Sequence, residues 1–448
     1  MPELGALLTD LAPVSAVVVL AAGGGTRMKS KKSKVLHEVA GKTMLSYAVS
    51  AAAALDPEHL VVVVGNKREQ VVEELGRLNE SVTSQVQEEQ RGTGHAVQCG
   101  LAGLDNIQGD VVVTYADVPM LTGDTLRQLV AVHRSHSNAV TVMTANVDDP
   151  TGYGRILRDG DRVRGIVEHK DATEEQRAIT EINSGIYVFD AETLRAGLAN
   201  LDADNAQGEL YLTDVLTHAN GTGQQVGAYV TEDLWQVEGV NDRVQLARMN
   251  AEMNRRILDE WMRQGVTIID PTSTWIDVDV DLAQDVVLHP GTILQGATTI
   301  GGGAIIGPST TLMDVEVGAD AEVIRTHGSF AVIGEGATVG PFSYLRPGTI
   351  LGADGKIGAF VETKNAKIAP TAKVPHLTYC GDAIIDEGVN IGAGTIFANY
   401  DGEKKYTTHV GKDAFVGSNS VLVAPVDIAP GAFVAAGSAV TDDLSLIH

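Results

Sequence analysis

An aliphatic residue returns every six positions over much of the second half of the chain, roughly from Val286 to Val440. This spacing is neither the period of a helix nor the simple alternation of a strand. It is typical of a parallel β-helix built from hexapeptide repeats, in which each coil stacks its aliphatic side chains on the coil below. An ordinary β-sandwich would instead need turn signals about every 8–12 residues. The repeat positions are Ile300, Ile306, Leu312, Ile333, Val339, Leu345, Leu351, Ile357, Ile385, Ile391, Val410, Val416, Leu422, Ile428, Val434 and Val440.

The six-residue register is interrupted twice, over residues 358–384 and 397–409, and both interruptions are rich in Lys, His, Asn, Tyr and Asp. Interruptions of a solenoid usually form loops on one face, which is often the binding face. The flat sides of such a stack suit packing against identical copies, so we expect a cyclic homo-oligomer.

Composition limits the class of protein. A chain of 448 residues is too long for one core, so at least two domains are expected. A net charge of −25 argues against non-specific nucleic-acid binding and requires local Lys and Arg for any phosphate ligand. Cys99 and Cys380 fall in different halves, which fits a reducing compartment without a disulfide framework. No apolar segment approaches about 20 residues and no basic signal-like start is present, so we expect a cytoplasmic protein without membrane insertion.

The first half alternates strand and helix patterns after a short extension at residues 1–15. This order predicts an α/β domain with a largely parallel sheet, whose ligands bind at the carboxyl ends of the strands. The predicted strands are residues 16–20, 60–64, 110–113, 139–144 and 184–189, and the predicted helices are residues 44–55, 69–78 and 124–133.

A connecting helix is predicted between residues 239 and 265, and we expect the solenoid to begin soon after residues 270–271. Asn241 or Asp242 can cap the helix. Its apolar stripe is Val244, Met249, Met253, Ile257 and Trp261.

A glycine-rich turn at residues 23–25 follows the first predicted strand. Glycines let backbone N–H groups approach a phosphate or a nucleobase. The turn is neither a Walker loop nor G-x-G-x-x-G, because residue 28 is Met. A simple tight turn would explain the glycines alone, but Arg27 and Lys34 favour an anion site.

Asp117 ends an apolar strand. A carboxylate in this position is a plausible Mg²⁺ ligand, because Mg²⁺ prefers one or two carboxylates together with substrate phosphates. A helix or turn cap is an equally good explanation from spacing alone.

Several motifs of the first half are similar to those of sugar-nucleotide pyrophosphorylases. They are residues 20–28, 34–37, 87, 92–96, 152–156, 166–171, 181–185 and 238–241. Together with the hexapeptide half, residues 16–440 resemble the bifunctional bacterial enzymes that join glucosamine-1-phosphate N-acetyltransferase to N-acetylglucosamine-1-phosphate uridyltransferase. These enzymes make UDP-N-acetylglucosamine, a precursor for peptidoglycan.

The resemblance implies three parts and a homotrimer. Residues 1–238 would be an α/β Rossmann-like nucleotidyltransferase domain, residues 239–265 a linker helix, and residues 266–448 a left-handed parallel β-helix with acetyltransferase activity. The implied cofactor is Mg²⁺, and the implied co-substrates are UTP and acetyl-CoA.

The resemblance also implies roles in uridyl transfer. Arg27 and Lys34 would contact the triphosphate and the transition state, and Asp117 and Asn241 would bind Mg²⁺. The residues implied for uracil and ribose are Leu20, Ala22, Gly23, Gln87, Gly92 and Thr93, with Tyr115 as a further substrate contact. Those implied for the amino sugar are Gly154, Glu168 and Asn183.

For acetyl transfer the resemblance implies His376 as the base, since an imidazole can accept and release a proton near neutral pH. A lone histidine is more often structural, so the surrounding set matters. The implied sugar-phosphate residues are Arg346, Lys364, Tyr379 and Asn390, with Asn399 and Tyr400 around the acetyl group. The implied acetyl-CoA residues are Ala393, Lys405, Ser418 and Ala436, and some groups would come from neighbouring chains.

Two features depart from the resemblance. Ser33 stands where proline usually precedes the lysine, so we expect a looser loop with Lys34 still in place. After Val440 about one further coil and a basic tail are implied, whereas this sequence ends at His448. We therefore expect the uridyltransferase half to be unaffected and the acetyltransferase half to be the one that this difference tests.

Two other functions fit parts of the sequence. One is a pyrophosphorylase of another sugar phosphate whose solenoid is only an oligomerisation scaffold. A scaffold would not need His376, Tyr379, Asn390 and Lys405. The other is a non-enzymatic nucleotide-sugar sensor or structural trimer, against which Asp117 and Asn241 argue.

Overall fold

The computed structural model describes residues 12–78, 81–104 and 106–445. The chain divides into two compact units, Met1–Asn250 and Ala251–His448. Most of the predicted extension at residues 1–15 and the last three residues of the chain lie outside the described residues. Among the described helices, none is long and apolar enough to cross a membrane.

The first unit is built on a largely parallel sheet, as predicted. Its strands lie in the order β11-β7-β10-β6-β1-β4-β5, and the hairpin β8–β9 is attached to β10. β10 runs antiparallel to both of its neighbours, β6 and β7. The strands are β1 (Ala16–Leu20), β2 (Glu38–Val39), β3 (Lys42–Thr43), β4 (His59–Val64), β5 (Thr83–Val86), β6 (Asp110–Tyr115), β7 (Val140–Asn146), β8 (Arg155–Asp159), β9 (Arg162–Val167), β10 (Glu181–Asp190) and β11 (Val226–Val230).

Helices cover the sheet because its central strands are rich in valine and buried. All five residues of β1 are buried, as expected for a strand covered on both faces. The helices are α1 (Met44–Ala53), α2 (Arg68–Leu75), α3 (Thr93–Leu101), α4 (Gly123–Ser135), α5 (Glu174–Arg177), α6 (Ala191–Ala199), α7 (Thr213–Gly221) and α8 (Arg243–Arg263), with 3₁₀ turns at Thr26–Met28, Lys34–Leu36 and Leu234–Gln236. The predicted helices and strands of this half are confirmed, with small differences at their ends.

The predicted connecting helix is α8. Asp242, one of the two predicted caps, accepts hydrogen bonds from the backbone N–H groups of Val244 (2.8 Å) and Gln245 (2.9 Å). Met249 is buried, but Val244 is 62% exposed. The prediction is therefore wrong at Val244, because this residue lies in the first turn of the helix and does not face a core.

The second unit is a stack of parallel coils, in agreement with the left-handed β-helix that the resemblance implies. It starts at Thr267–Ile268, slightly earlier than expected. One face carries β12 (Thr267–Ile268), β15 (Val287–Leu288), β18 (Ile305–Ile306), β20 (Glu322–Val323), β22 (Thr338–Val339), β25 (Lys356–Ala359), β27 (Lys373–His376), β29 (Asn390–Ile391), β32 (Phe415–Val416) and β35 (Phe433–Val434).

The remaining strands form a second hydrogen-bonded sheet. They are β13 (Trp275–Ile276), β14 (Asp281–Leu282), β16 (Ile293–Gln295), β17 (Thr299–Ile300), β19 (Thr311–Val317), β21 (Thr326–Ile333), β23 (Ser343–Leu345), β24 (Ile350–Leu351), β26 (Glu362–Ile368), β28 (Tyr379–Ile385), β30 (Ile396–Ala398), β31 (Thr408–Val410), β33 (Val421–Val423), β34 (Val426–Ile428) and β36 (Ala439–Val440). Every aliphatic repeat position that the sequence identifies is buried. The hexapeptide prediction is therefore confirmed.

The predicted interruption over residues 358–384 is wrong. Lys356 pairs with Lys373, 17 residues later, where other coils such as Val287 with Ile305 use 18. The coil is one residue shorter, which shifts the six-residue register without breaking the stack. The second interruption is real, because Asn390 pairs with Phe415, 25 residues later, and the extra residues form a projecting loop around Tyr400.

The stacked aliphatic residues should determine the stability of the second unit. Ile357 is completely buried, while Lys356 in the same strand is exposed. We expect Ile357→Ala to lower the free energy of unfolding of this unit by about 3 kcal/mol. Native-state hydrogen exchange of the coil amides measures this change. Lys356→Ala is the matched control and should change the value by less than about 0.5 kcal/mol; equal effects of the two variants would contradict the stacking explanation.

Candidate active sites

The carboxyl ends of β1, β4 and β6 lie side by side, because Leu20 is the register partner of both Val63 and Tyr115. The glycine turn after β1 therefore opens at the edge where parallel sheets bind ligands. Gly25 has a φ of 59°, and a Cβ there would lie 2.7 Å from the Cβ of Lys34. Glycine is required for this close approach, which brings Lys34 back to the strand ends.

A cavity of about 270 Å³ opens at the same edge. Its lining includes all the residues predicted for uracil and ribose. The complete lining is Leu20, Ala21, Ala22, Gly23, Lys34, Val35, Gln87, Gln90, Gly92, Thr93, Ala96, Tyr115, Asp117 and Glu209. Gln90 and Glu209 are not among the predicted site residues. Gln90 donates a hydrogen bond from Nε2 to the carbonyl of Ala22 at 2.6 Å, and its place two residues before Gly92 is the sequence signal that could have indicated it.

Two cations and two oxygen-bearing side chains meet beside this cavity. Lys34 Nζ forms an ion pair with the Asp117 carboxylate, and these side chains are 12% and 18% exposed. Asn241 Oδ1 accepts hydrogen bonds from Arg27 Nη2 at 2.9 Å and from Lys34 Nζ at 3.3 Å. The structure thus brings together the four residues predicted for the triphosphate and the metal.

A backbone contact explains how Asp117 meets Asn241 from a distant part of the sequence. The N–H group of Val240 donates to the carbonyl of Asp117 at 2.8 Å. Asp242 caps α8 with its own carboxylate, so Asn241 Oδ1 is left to face the cations. Because the Asp117 carboxylate binds a cation, the structure favours the functional explanation of this residue over a cap.

The donor set fits Mg²⁺. One carboxylate and one amide oxygen are hard ligands, and Mg²⁺ in proteins usually takes its other ligands from water and substrate phosphates. Within the described ranges, no group of three or more His, Cys, Asp or Glu side chains could hold a metal by itself. A divalent cation at Asp117 and Asn241 would therefore depend on phosphate oxygens of the substrate.

The three residues predicted for the amino sugar also lie together. A Cβ on Gly154 would lie 3.3 Å from Glu168 Oε1 and 3.4 Å from the Cβ of Asn183. The N–H group of Asn183 donates to the carbonyl of Gly154 at 2.9 Å. Tyr115 connects this wall to the charged cluster, since burial and then the charges of Asp117 and Glu168 raise the pKa of its phenol.

The pKa of Glu168 is raised above the usual value of a glutamate. Burial is the main cause, and the carboxylates of Asp171, Asp214 and Glu209 raise it further. This carboxyl therefore takes up a proton at a higher pH than an ordinary glutamate does.

Arg155, from the same motif as Gly154, is not among the predicted site residues and is 1% exposed. Its Nη1 donates to the carbonyl of Tyr153, and its Nη2 donates to His169 Nδ1 at 3.3 Å. These bonds tie the Gly154 turn to the residue that follows Glu168, so Arg155 supports the wall from behind.

Ser33 does not loosen the lysine loop. Its φ of −59° is one that proline also adopts, but its backbone N–H donates to Gln70 Oε1 in α2 at 2.9 Å. Gln70 Nε2 also donates to the carbonyl of Lys31 at 3.2 Å. Because serine keeps the N–H that proline lacks, the loop before Lys34 is held to α2, contrary to the expectation.

The second unit distributes the predicted acetyl-transfer residues over two sheets. His376 and Asn390 lie on one sheet, in β27 and β29, and Lys364 and Tyr379 lie on the other, in β26 and β28. Asn390 is level with Lys373, at the opposite end of β27 from His376. Within one chain these residues therefore form separate groups.

His376 lies at a corner of the coil that it shares with residues predicted for acetyl-CoA. The carbonyls of His376, Ala393 and Ser418 each accept a hydrogen bond from a backbone N–H of the next coil, at 3.2, 2.7 and 2.8 Å. Ala436 lies on the last of these coils, next to the residue that donates to Ser418. Four predicted residues thus line up along one edge of the solenoid.

Lys364, Lys405 and Arg346 form a cluster of positive charge. The pKa of Lys364 is lowered, first by the neighbouring ammonium group of Lys405 and then by the guanidinium of Arg346. Arg346 also donates to Glu362 at 2.8 Å. Within this chain, Lys405 lies with the residues predicted for the sugar phosphate and not at the corner of Ser418.

Asp382 is a further polar residue of this region and is not among the predicted ones. Its carboxylate accepts hydrogen bonds from Asn399 Nδ2 (2.5 Å) and Asn365 Nδ2 (2.7 Å). Asn399 is buried and lies 3.5 Å from Tyr379 Oη, while Tyr400 is 59% exposed. An acidic residue within a segment rich in Lys and His is the sequence signal that could have indicated Asp382.

The nucleotidyl transferase family matches residues 16–278. A bifunctional protein GlmU from Cutibacterium acnes is 62% identical over 391 residues, which cover 86% of this chain and 94% of that protein. A bifunctional protein GlmU from Rhodococcus opacus is 57% identical over 440 residues, which cover 96% of this chain and 88% of that protein. A solved UDP-glucose pyrophosphorylase complexed with UDP-glucose is 18% identical with a TM-score of 0.43, covering 54% of this chain and 99% of that chain.

The nucleotidyl transferase match covers more than half of the chain, and the GlmU relatives match residues of both compact units. The chain therefore belongs to the bifunctional GlmU family.

Proposed function

We propose that this chain is a bifunctional transferase of UDP-N-acetylglucosamine synthesis. One reaction transfers acetyl from acetyl-CoA to glucosamine-1-phosphate, and the other transfers uridylyl from UTP to N-acetylglucosamine-1-phosphate with release of pyrophosphate. The observation that carries the proposal is the cluster of Arg27, Lys34, Asp117 and Asn241 beside a nucleoside-sized cavity. We assign uridyl transfer to residues 1–238, a linker helix to 239–265 and acetyl transfer to 266–448.

In uridyl transfer, a phosphate oxygen of the sugar phosphate attacks the α-phosphorus of UTP. The bond between this phosphorus and the oxygen that bridges to the β-phosphate breaks, and pyrophosphate leaves. The nucleophile is already ionised, so the protein needs no general base. Arg27 and Lys34 neutralise the negative charge, and Gly154, Glu168 and Asn183 orient the sugar. The uracil and ribose contacts are Leu20, Ala22, Gly23, Gln87, Gly92, Thr93 and Tyr115.

Asp117 and Asn241 would hold Mg²⁺ through their side-chain oxygens, together with phosphate oxygens of the substrate. When bound, the ion would add positive charge where the phosphate groups are most negative. Both ligands already contact Lys34, so they also keep this ammonium group at the site of transfer.

In acetyl transfer, His376 removes a proton from the amine of glucosamine-1-phosphate. The amine nitrogen attacks the thioester carbonyl carbon, the carbon–sulfur bond breaks, and coenzyme A leaves as the thiol. The proposed phosphate and sugar contacts are Arg346, Lys364, Tyr379, Asn390 and Lys405, with Asn399 and Tyr400 near the acetyl group. Ala393, Ser418 and Ala436 share the corner of His376 and would line the cleft for acetyl-CoA, with Lys405 reaching its phosphates.

We propose a homotrimer because one chain separates His376 from Asn390 and from the cation cluster, so neighbouring chains would complete the site. Phe342 and Phe360 stack at 5.3 Å between ring centroids, and both are more than half exposed, as is Leu377 on the next coil. A second copy would cover this apolar corner. The free thiols Cys99 and Cys380 support a reducing, cytoplasmic location.

The alternative of a pyrophosphorylase with a scaffold-only solenoid is not favoured. Relatives with the bifunctional name match along 96% of this chain, and not along the first unit alone. The solenoid also carries Lys364 and Lys405 side by side, which a scaffold has no reason to do because like charges repel.

Removal of Asp117 should separate the two activities. We expect Asp117→Ala to lower kcat/KM for pyrophosphate release from UTP at least about 100-fold, since the variant loses a metal ligand and the partner of Lys34. Thiol release from acetyl-CoA should be unchanged. Asp124→Ala, which removes a highly exposed carboxylate paired with Arg127, is the control. Parallel loss of both activities would contradict the assignment of separate sites.

Removal of His376 should have the reverse effect. We expect His376→Ala to lower kcat for thiol release about 100-fold or more, because the amine keeps its proton, and to leave uridyl transfer intact. His409→Ala serves as the matched control, since His409 is a solenoid histidine bound to Asp386 at 3.0 Å. An unchanged rate of thiol release in His376→Ala would remove His376 as the base.

The raised pKa of Glu168 gives a pH dependence. The ionised carboxylate accepts hydrogen bonds from the sugar, so KM for N-acetylglucosamine-1-phosphate should rise on acidification, starting at a higher pH than for an ordinary glutamate. Glu168→Gln should have a higher KM at neutral pH and a weaker rise on acidification. The phosphate of the substrate titrates equally in both proteins, so identical acid limbs would show that Glu168 is not the group concerned.

A further inference from the structure

The orientation of the Gln87 carboxamide is fixed by its neighbours. Gln87 lines the 270 Å³ cavity and is 4% exposed. Its Nε2 lies 3.1 Å from the carbonyl oxygen of Gly92. A carbonyl can only accept a hydrogen bond, so the amino group of Gln87 must face it. The reversed amide would place two oxygen atoms against each other.

His95 supplies a second acceptor for the same amino group. Its Nδ1 lies 3.1 Å from Gln87 Nε2. Because the amino group donates, Nδ1 must be unprotonated, and the ring proton is on Nε2, 3.7 Å from Cys99 Sγ. His95 lies in the first turn of α3, where the Thr93 hydroxyl accepts a hydrogen bond from the N–H group of Leu212 at 3.1 Å. The ring is therefore held in place behind Gln87.

This arrangement leaves Oε1 of Gln87 for a ligand. It accepts no hydrogen bond from any described residue, and it is not among the polar atoms that are sealed from solvent without a partner. It is therefore an accessible acceptor in the wall of the cavity. A buried site with an acceptor selects a ligand that carries an N–H group in the matching position.

We propose that His95 is a positioning residue for nucleobase specificity. It holds the Gln87 carboxamide with Oε1 towards the base, so that uridine nucleotides bind in preference to cytidine nucleotides. Uracil carries a hydrogen on N3 and can donate to Oε1, whereas cytosine presents an unprotonated N3 that repels it. The inference rests on the proposed function, which assigns this cavity to uracil and ribose.

Equilibrium binding of UTP and of CTP to the full chain, measured by titration calorimetry, tests the proposal. The wild-type protein should bind UTP more tightly. In His95→Leu the ratio of the two dissociation constants should fall about fivefold, since the amide loses one of two hydrogen bonds that orient it. His95→Asn places Oδ1 near the position of Nδ1 and should restore the ratio. Cys99→Ala removes only the other neighbour of the ring and should leave it unchanged.

Equal weakening of both nucleotides in His95→Leu would overturn the proposal, because a purely structural role of the ring predicts this result. Equal affinities of the wild-type protein for UTP and CTP would also overturn it. Thermal unfolding of each variant identifies a general loss of folding. Binding does not require turnover, so a wild-type protein that prefers UTP but does not release pyrophosphate would count against the proposed function and not against this role of His95.

Discussion

The backbone hydrogen bonds between successive coils are the constraint on which the second unit depends. Each coil must place its N–H and C=O groups opposite those of the next, so coils differ in length by little unless a loop projects. Ile357 therefore lies beside Val374, and both are buried although the coil between them is one residue short. Substitutions are restricted inside the stack, while the corners, where His376 lies, remain free to carry polar side chains.

In the first unit the direction of the strands performs the same task. The parallel strands β1, β4 and β6 end at one edge, where the glycine turn and Asp117 begin. β10 runs the other way, so its first residues and not its last reach this edge, and Asn183 is level with Thr144 of β7. The reversed strand thus supplies the sugar wall beside the charged cluster, which a fully parallel sheet would not do.

The features that depend on local pattern could be predicted from the sequence. The six-residue period identified the buried aliphatic positions, and a strand followed by glycines and cations identified the phosphate loop. The period failed over residues 358–384, because a coil of 17 residues shifts the register but conserves the stacking. Gln90 and Asp382 were not predicted, because their partners, Ala22 and Asn399, are distant in sequence and a single sequence does not show which polar side chains meet. The tether between Ser33 and Gln70 escaped prediction for the same reason.

The two units treat positive charge differently, and this difference follows from what they must bind in a chain of net charge −25. In the first unit Lys34 has its counter-ion, Asp117, in direct contact, so the site is balanced before a ligand arrives and a triphosphate must bring its own cation. In the second unit Lys364 lies against Lys405, and the repulsion between them lowers the pKa of Lys364. A phosphate dianion would remove that repulsion without a metal. The uridyl site is therefore built for a nucleotide with a divalent ion, and the solenoid site for a bare phosphate group.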